Sequence, residues 1–132
     1  MVNFEKSIPA INKIVFTIGG FERGYETRTL SLNGGHLYMN IAHSFIPTPS
    51  NFHIEPDYPV SKEELLDGLH RLNIGKWRRS YDNRDILDGT QWEINIFFSD
   101  GHRPVRIWGS NAYPDNFNNF LALLGVKADE MF

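Results

Sequence analysis

The chain has 132 residues, 41% of them hydrophobic and 14% aromatic, with a formal charge of −3 and no cysteine. A length of this order suits one domain, residues 1–132, able to bury roughly two-thirds of its unfolded surface. The acidic balance argues against nonspecific binding to nucleic acid or an anionic membrane, which needs a basic surface, and the lack of cysteine excludes disulfides, thiolate metal sites and thiol nucleophiles.

The first segment, MVNFEKSIPAINK, carries no apolar signal-peptide core, and no run approaches membrane-spanning length. The expected setting is the cytoplasm. Residues 1–11 read as an irregular lead-in tied down by Phe4 and Ile8. Ile14, Phe16 and Ile18 then alternate with Lys13, Val15 and Thr17 until Gly19-Gly20 breaks the pattern, which predicts a first strand. Tyr25 to Leu32 alternates again, with Thr27, Thr29 and Ser31 opposite Arg28, Leu30 and Leu32. Asn33-Gly34-Gly35 supplies hairpin turn chemistry, and His36 to Phe45 returns with Leu37, Met39 and Ile41 on one face. The first third is therefore expected to be a three-stranded antiparallel meander.

Pro47, Pro49, Pro56 and Pro59 bar residues 46–59 from helix and central strand, and Phe52, Ile54 and Tyr58 suggest a loop packed as a cover. Ser61-Lys62-Glu63-Glu64 has the pattern of a capping box before the helical stripe Leu65, Leu66, Leu69 and Leu72, and Gly75 is expected to end the helix. Gly68 costs such a helix about 1 kcal/mol relative to alanine, so close packing on the sheet is its expected role. Trp77, Arg79 and Tyr81 alternate with Arg78 and Ser80, which suggests extended chain.

Trp92, Ile94, Ile96 and Phe98 share one strand face, Asp100-Gly101 is a strong hairpin turn, and Val105 and Ile107 continue that face on the return strand. Pro104 places this return strand at an edge or delays its start. Phe97 and Trp108 fall on the other face, which leaves a second face with aromatic rings covered by a loop or by a partner, or exposed. After GSNAYP, Pro114 or Asp115 opens a helix with Phe117, Phe120, Leu121 and Leu124 on one side and Gly125 beyond its end. The order β-β-β-α-β-β-α describes an α+β domain: an antiparallel sheet of about five strands with two helices on one face.

DGTQWEINIFFSDG followed by GSNAYPDNFNNFLALLG resembles a pattern in small, uncharacterised bacterial proteins, many of them from Gram-positive lineages. The resemblance rests on Asp88, Gly89, Trp92, Gly109, Ser110, Asn111, Ala112, Tyr113, Pro114 and Phe117. It covers about the last third of the chain and implies a lineage without an activity.

No motif specifies a reaction. The histidines His36, His43, His53, His70 and His102 lack ligand spacing, and His53-Ile54-Glu55 lacks the paired cysteines of the zinc deaminases. His43 and His53 are the pair that could meet through the proline-rich segment. Asp82, Asp85 and Asp88 do not have the ligand alternation of a calcium loop, and Asp88-Gly89 suits a turn. Lys76-Trp77-Arg78-Arg79-Ser80-Tyr81 interleaves bases with aromatics as single-strand binders do, but it is one short cluster in an acidic chain. Ser110 lacks the Gly-x-Ser-x-Gly elbow, and a corner in which Ser110 and Asn111 satisfy backbone groups explains GSNAYP.

The expected function is a non-catalytic module binding a small molecule or a protein through Trp77, Tyr81, Trp108, Ser110, Asn111 and Tyr113. The alternative is a small metal-independent enzyme using Asp85, Asp88 or His53 under the proline-rich segment. No cofactor or metal is expected, no nucleic acid and no membrane, while the second sheet face allows a homo-oligomer.

Overall fold

Ile14, Phe16 and Ile18 are alternate residues of β1 (Ile11–Gly20), and all three are buried. A computed structural model, which describes residues 4–20, 24–33, 36–44, 51–55, 61–83 and 89–126, places this strand at the centre of a seven-stranded sheet. The other strands are β2 (Gly24–Asn33), β3 (His36–Ser44), β4 (Asn51–Glu55), β5 (Ser80–Asp82), β6 (Gln91–Phe98) and β7 (Val105–Ser110). Their spatial order is β4-β3-β2-β1-β6-β7-β5, and every pairing is antiparallel except that of β5 with β7. The fold is α+β, with a mixed open sheet.

Register carries the apolar phase from strand to strand. Ile14 pairs with Leu30 on one side and Ile96 on the other, Phe16 faces Ile94, and Ile94 faces Ile107. All of these except Phe16's other neighbour, Arg28, are apolar and buried. Each such side chain contributes on the order of 1.5–3 kcal/mol relative to exposure.

Three helices, α1 (Phe4–Ser7), α2 (Lys62–Leu72) and α3 (Phe117–Leu123), cover this face. Short 3-10 turns at Ile8–Ala10 and Ile74–Lys76 follow α1 and α2. The Ser61 hydroxyl accepts the Glu64 N–H at 3.1 Å and caps α2, whose Leu65, Leu69 and Leu72 are buried. The α3 ring of Phe120 packs edge-on against Phe16, with centroids 5.4 Å apart. Arg28 stands on the covered face beyond the end of α3. Its Nη1 donates to the Leu124 carbonyl at 3.0 Å while its Nε donates to Glu26 Oε2 at 3.2 Å. A cation at a helix C-terminus satisfies carbonyls that have no partner within the helix.

Several expectations change. Among the described residues the sheet has seven strands instead of about five, and three helices pack on it instead of two. Residues Phe4–Ala10, expected to be irregular, form α1 and a 3-10 turn, with Phe4 packed edge-on against Phe98 and Ile8 fully buried. The proline-rich segment contains strand β4, since Asn51–Glu55 holds no proline, and among the described residues it pairs with β3 alone, at the end of the strand order. Residues 45–50 and 56–60 lie outside the described residues. Helix α2 ends at Asn73, which takes the left-handed conformation (φ 53°), and Gly75 sits in the 3-10 turn beyond. Gly68 packs against α3 rather than the sheet: a Cβ there would lie 2.5 Å from a Leu123 methyl. Helix α3 begins at Phe117, after the Pro114 and Asp115 start expected for it. Pro104 delays β7 to Val105 without placing it at an edge, because β5 pairs with its far side.

Candidate binding site on the open sheet face

The strand phase that buries Ile14, Ile94 and Ile107 sends the intervening residues to the opposite face, on which no described helix packs. Register sets them in rows. Tyr25, Gly19, Gln91, Ser110 and Asp82 form one row across β2, β1, β6, β7 and β5. Thr27, Thr17, Glu93, Trp108 and Ser80 form the next. Thr17 is small, so the central strand is low between Tyr25 on one side and Trp108 on the other, while beside Tyr25 the Gly24 backbone lies over Gly19. The result is a concavity of about 410 Å³ lined by Thr17, Tyr25, Gln91, Glu93, Trp108 and Ser110, with Asp82 and Arg106 also in its wall.

Its polar groups are partly organised by one another. The Thr17 and Thr27 hydroxyls lie 3.1 Å apart and share a hydrogen bond. Arg106 Nε donates to Glu93 Oε1 across β6 and β7, joining the two in an ion pair at the solvent-exposed rim. Farther along the face, the Lys13 ammonium sits 4.5 Å from the centre of the Phe97 ring. The chemistry on offer is hydrogen bonding from hydroxyls, an amide and carboxylates, between two aromatic rings. No described histidine lines the concavity.

The sheet divides the residues expected to form one binding surface. Trp108 and Ser110 line the concavity. Trp77 and Tyr81 do not, because both are buried on the helix-covered face. The Trp77 ring lies 6.0 Å from Phe120, and Tyr81 lies 5.9 Å from Trp92. The Tyr81 hydroxyl accepts the Arg78 N–H at 3.1 Å, and the Arg78 guanidinium lies over the Tyr81 ring. The aromatic half of the KWRRSY cluster is thus used internally, which removes the stacking platform a single-strand binder needs.

Tyr113 also faces the helix side, stacked on Trp92 at 6.3 Å and 14°. Asn111 builds the corner between β7 and α3. It holds φ 57°, and its side-chain carbonyl accepts the Thr90 N–H at 2.9 Å. The Trp92 Nε1–H donates to the Ala112 carbonyl at 3.0 Å and fixes the next residue of the same corner.

Trp92 and Gly109 also border the concavity, and Thr17, Tyr25, Gln91, Glu93, Asp82 and Arg106 are the open-face lining residues that sequence reasoning did not assign to the site. Their signal was the strand phase, since each occupies the position opposite a core residue. What alternation does not specify is which of them meet across strands.

Among the described residues no group of histidine and carboxylate side chains could hold a metal ion. His70 Nδ1 lies 2.8 Å from Glu5, and His43 Nε2 lies 3.7 Å from Glu26, both away from the concavity. Asp85, Asp88 and the side chain of His53, the residues of the enzymatic alternative, lie outside what the structure describes. No helix among the described residues is long and apolar enough to cross a membrane. Compared with known protein families, with curated proteins and with solved structures, the chain matches none.

Proposed function

We propose that this protein is a non-catalytic binding module whose ligand seat is the concavity on the open sheet face. The observation that carries the reading is the pairing of two aromatic walls, Tyr25 and Trp108, with a polar floor and rim of Thr17, Gln91, Glu93 and Ser110. Small-molecule sites combine apolar or aromatic surface with a few placed polar groups in a volume of roughly 300–1,000 Å³, and the concavity has that size. A side chain fixed in a sheet is held by its strand neighbours, so the seat is positioned before anything binds. The cellular setting proposed with it is the bacterial cytoplasm, the expectation attached to the C-terminal pattern.

The test is amide and indole NMR of the labelled chain against a set of small polar and aromatic compounds. A binder should move Trp108, Gln91 and Ser110 while leaving the Trp77 and Trp92 indoles in place. Binders that consistently move other regions would refute the assignment of the seat.

A further inference from the structure

The polar groups around Trp108 narrow the kind of ligand, and this deepening rests on the concavity being a binding seat. Arg106, Trp108 and Ser110 follow one another on the open face of β7, while on β6 Glu93 stands opposite Trp108 and Gln91 opposite Ser110. Polar side chains therefore flank the partly exposed Trp108 ring on both sides, each two residues away along the strand, roughly 7 Å. Arg106 and Glu93 bond to each other through Nε and Oε1, which leaves both Nη groups of Arg106 and Oε2 of Glu93 open. Among the described residues, the Trp108 indole N–H, the Gln91 amide and the Ser110 hydroxyl also have no hydrogen-bond partner, whereas the buried Trp92 indole is bonded to Ala112.

This set mixes donors and acceptors at close spacing beside an aromatic ring. A ligand that answers it needs neighbouring groups that each donate and accept, and an apolar face to lie on the ring. Adjacent hydroxyls of a pyranose meet the first need, since each is both donor and acceptor. The C–H face of the same sugar ring meets the second by covering apolar aromatic surface. A charged ligand would compete with the Arg106–Glu93 pair for one of its members, whereas two vicinal hydroxyls can bond to both with the pair intact. We infer that the concavity binds a neutral pyranose sugar, stacked on Trp108, with vicinal hydroxyls on Arg106 and Glu93 and further hydroxyls on Gln91 and Ser110.

The experiment titrates the full isotope-labelled chain with the methyl glycosides of glucose, galactose, mannose and N-acetylglucosamine, and with cellobiose and maltose as linked sugars. Sorbitol, adenosine and methylguanidinium are the comparison probes. At least one pyranoside should shift the Trp108 indole and the Ser110 amide saturably. Sorbitol carries the hydroxyls without the ring face, and should bind about tenfold more weakly. Trp108→Ala should weaken sugar binding about tenfold, the scale of one aromatic stacking contact, and Trp108→Phe should restore part of that loss. Arg106→Gln should weaken it severalfold while the Trp92 indole resonance stays in place, which separates lost ligand contacts from damage to the fold. A disaccharide bound more tightly than its methyl glycoside assigns the seat to a glycan chain, and equal or weaker binding assigns it to a free monosaccharide. Adenosine or methylguanidinium shifting Trp108 where no sugar does, or sorbitol binding as tightly as the pyranosides, would overturn the sugar assignment and leave the seat standing. Silence of Trp108 toward every probe would overturn both.

Discussion

Thr90 and Asn111 are bonded to each other twice: the Thr90 N–H donates to the Asn111 side-chain carbonyl at 2.9 Å, and the Asn111 N–H donates to the Thr90 carbonyl at 2.9 Å. This pair closes the end of the β6–β7 ladder and turns the chain toward α3. Asn111 achieves it at φ 57°, a left-handed backbone that asparagine tolerates better than most residues. Thr90 is buried, so its N–H has little water to fall back on.

Asn111→Ala should therefore destabilise the fold by about 2 kcal/mol, from the lost hydrogen bond together with the left-handed strain. Asn111→Gly relieves the strain and should recover part of that loss. Denaturant midpoints, compared after confirming equal slopes, measure both. Equal stability of wild type and Asn111→Ala would refute the corner role.

Gly109 lies directly opposite Trp92 on the covered face, and a Cβ added there would run into the indole. Trp92 cannot move aside, being packed against Phe117 at 4.6 Å and bonded to Ala112. Gly109→Ala should cost about 1–3 kcal/mol, the usual range for overpacking, and shift the Trp92 indole resonance. A neutral effect on thermal unfolding would show that the indole has room that the structure denies it.

The three tryptophans occupy different faces: Trp77 and Trp92 are buried in the helix-side core, while Trp108 is partly exposed in the concavity. Acrylamide should quench Trp108 preferentially. In Trp108→Phe the remaining fluorescence should be much less quenchable, and in Trp77→Phe nearly as quenchable as wild type. Similar quenching in the two variants would mean that Trp108 is shielded.

In the β6–β7 turn, the Asp100 carboxylate accepts the His102 N–H at 3.0 Å, and this bond holds its pKa below the ordinary 3.8. A lowered folded value means that the contribution of this group to stability is present above pH 3.8. It fades as the pH falls through the folded value, because protonation removes the charged acceptor. An NMR titration of the Asp100 carboxyl should give a midpoint below 3.8. A midpoint above it would show that the turn bond is not formed in solution.

Arg106 and Glu93 pair on the solvent side of the sheet, where such bonds contribute little. Arg106→Gln should change stability by less than about 1 kcal/mol. That near-neutrality is what allows this substitution to report on ligand binding in place of folding. A larger loss in thermal unfolding would show the pair to be structural.

The sequence by itself determined the phase of the strands and the chemistry of the turns. Alternation at Ile14–Ile18 and at Trp92–Phe98 marked the buried face, because side chains on a strand point to opposite sides every other residue. Asp100-Gly101 marked the hairpin, and Ser61 marked the start of α2, because those local backbone requirements are met by few residue types. The same phase put Phe97 and Trp108 together on the second face, and the structure places them there. Only the tertiary structure decided which strands are neighbours. Strand β5 has three residues and pairs in parallel with β7, and β4 lies between prolines at the far edge; in both, the pattern in sequence does not name the partner strand. Neighbours across strands come from distant parts of the chain, so Tyr25 and Trp108 could not be seen to line one concavity with Thr17 between them. For the same reason the aromatic set divided: Trp77, Tyr81 and Tyr113 were expected at the binding surface together with Trp108, but the space above Trp92 and Phe117 draws their rings to the helix side. Burial of an aromatic ring is a property of what packs against it, and that is fixed by the whole sheet and its helices, not by the residue's own neighbours in sequence.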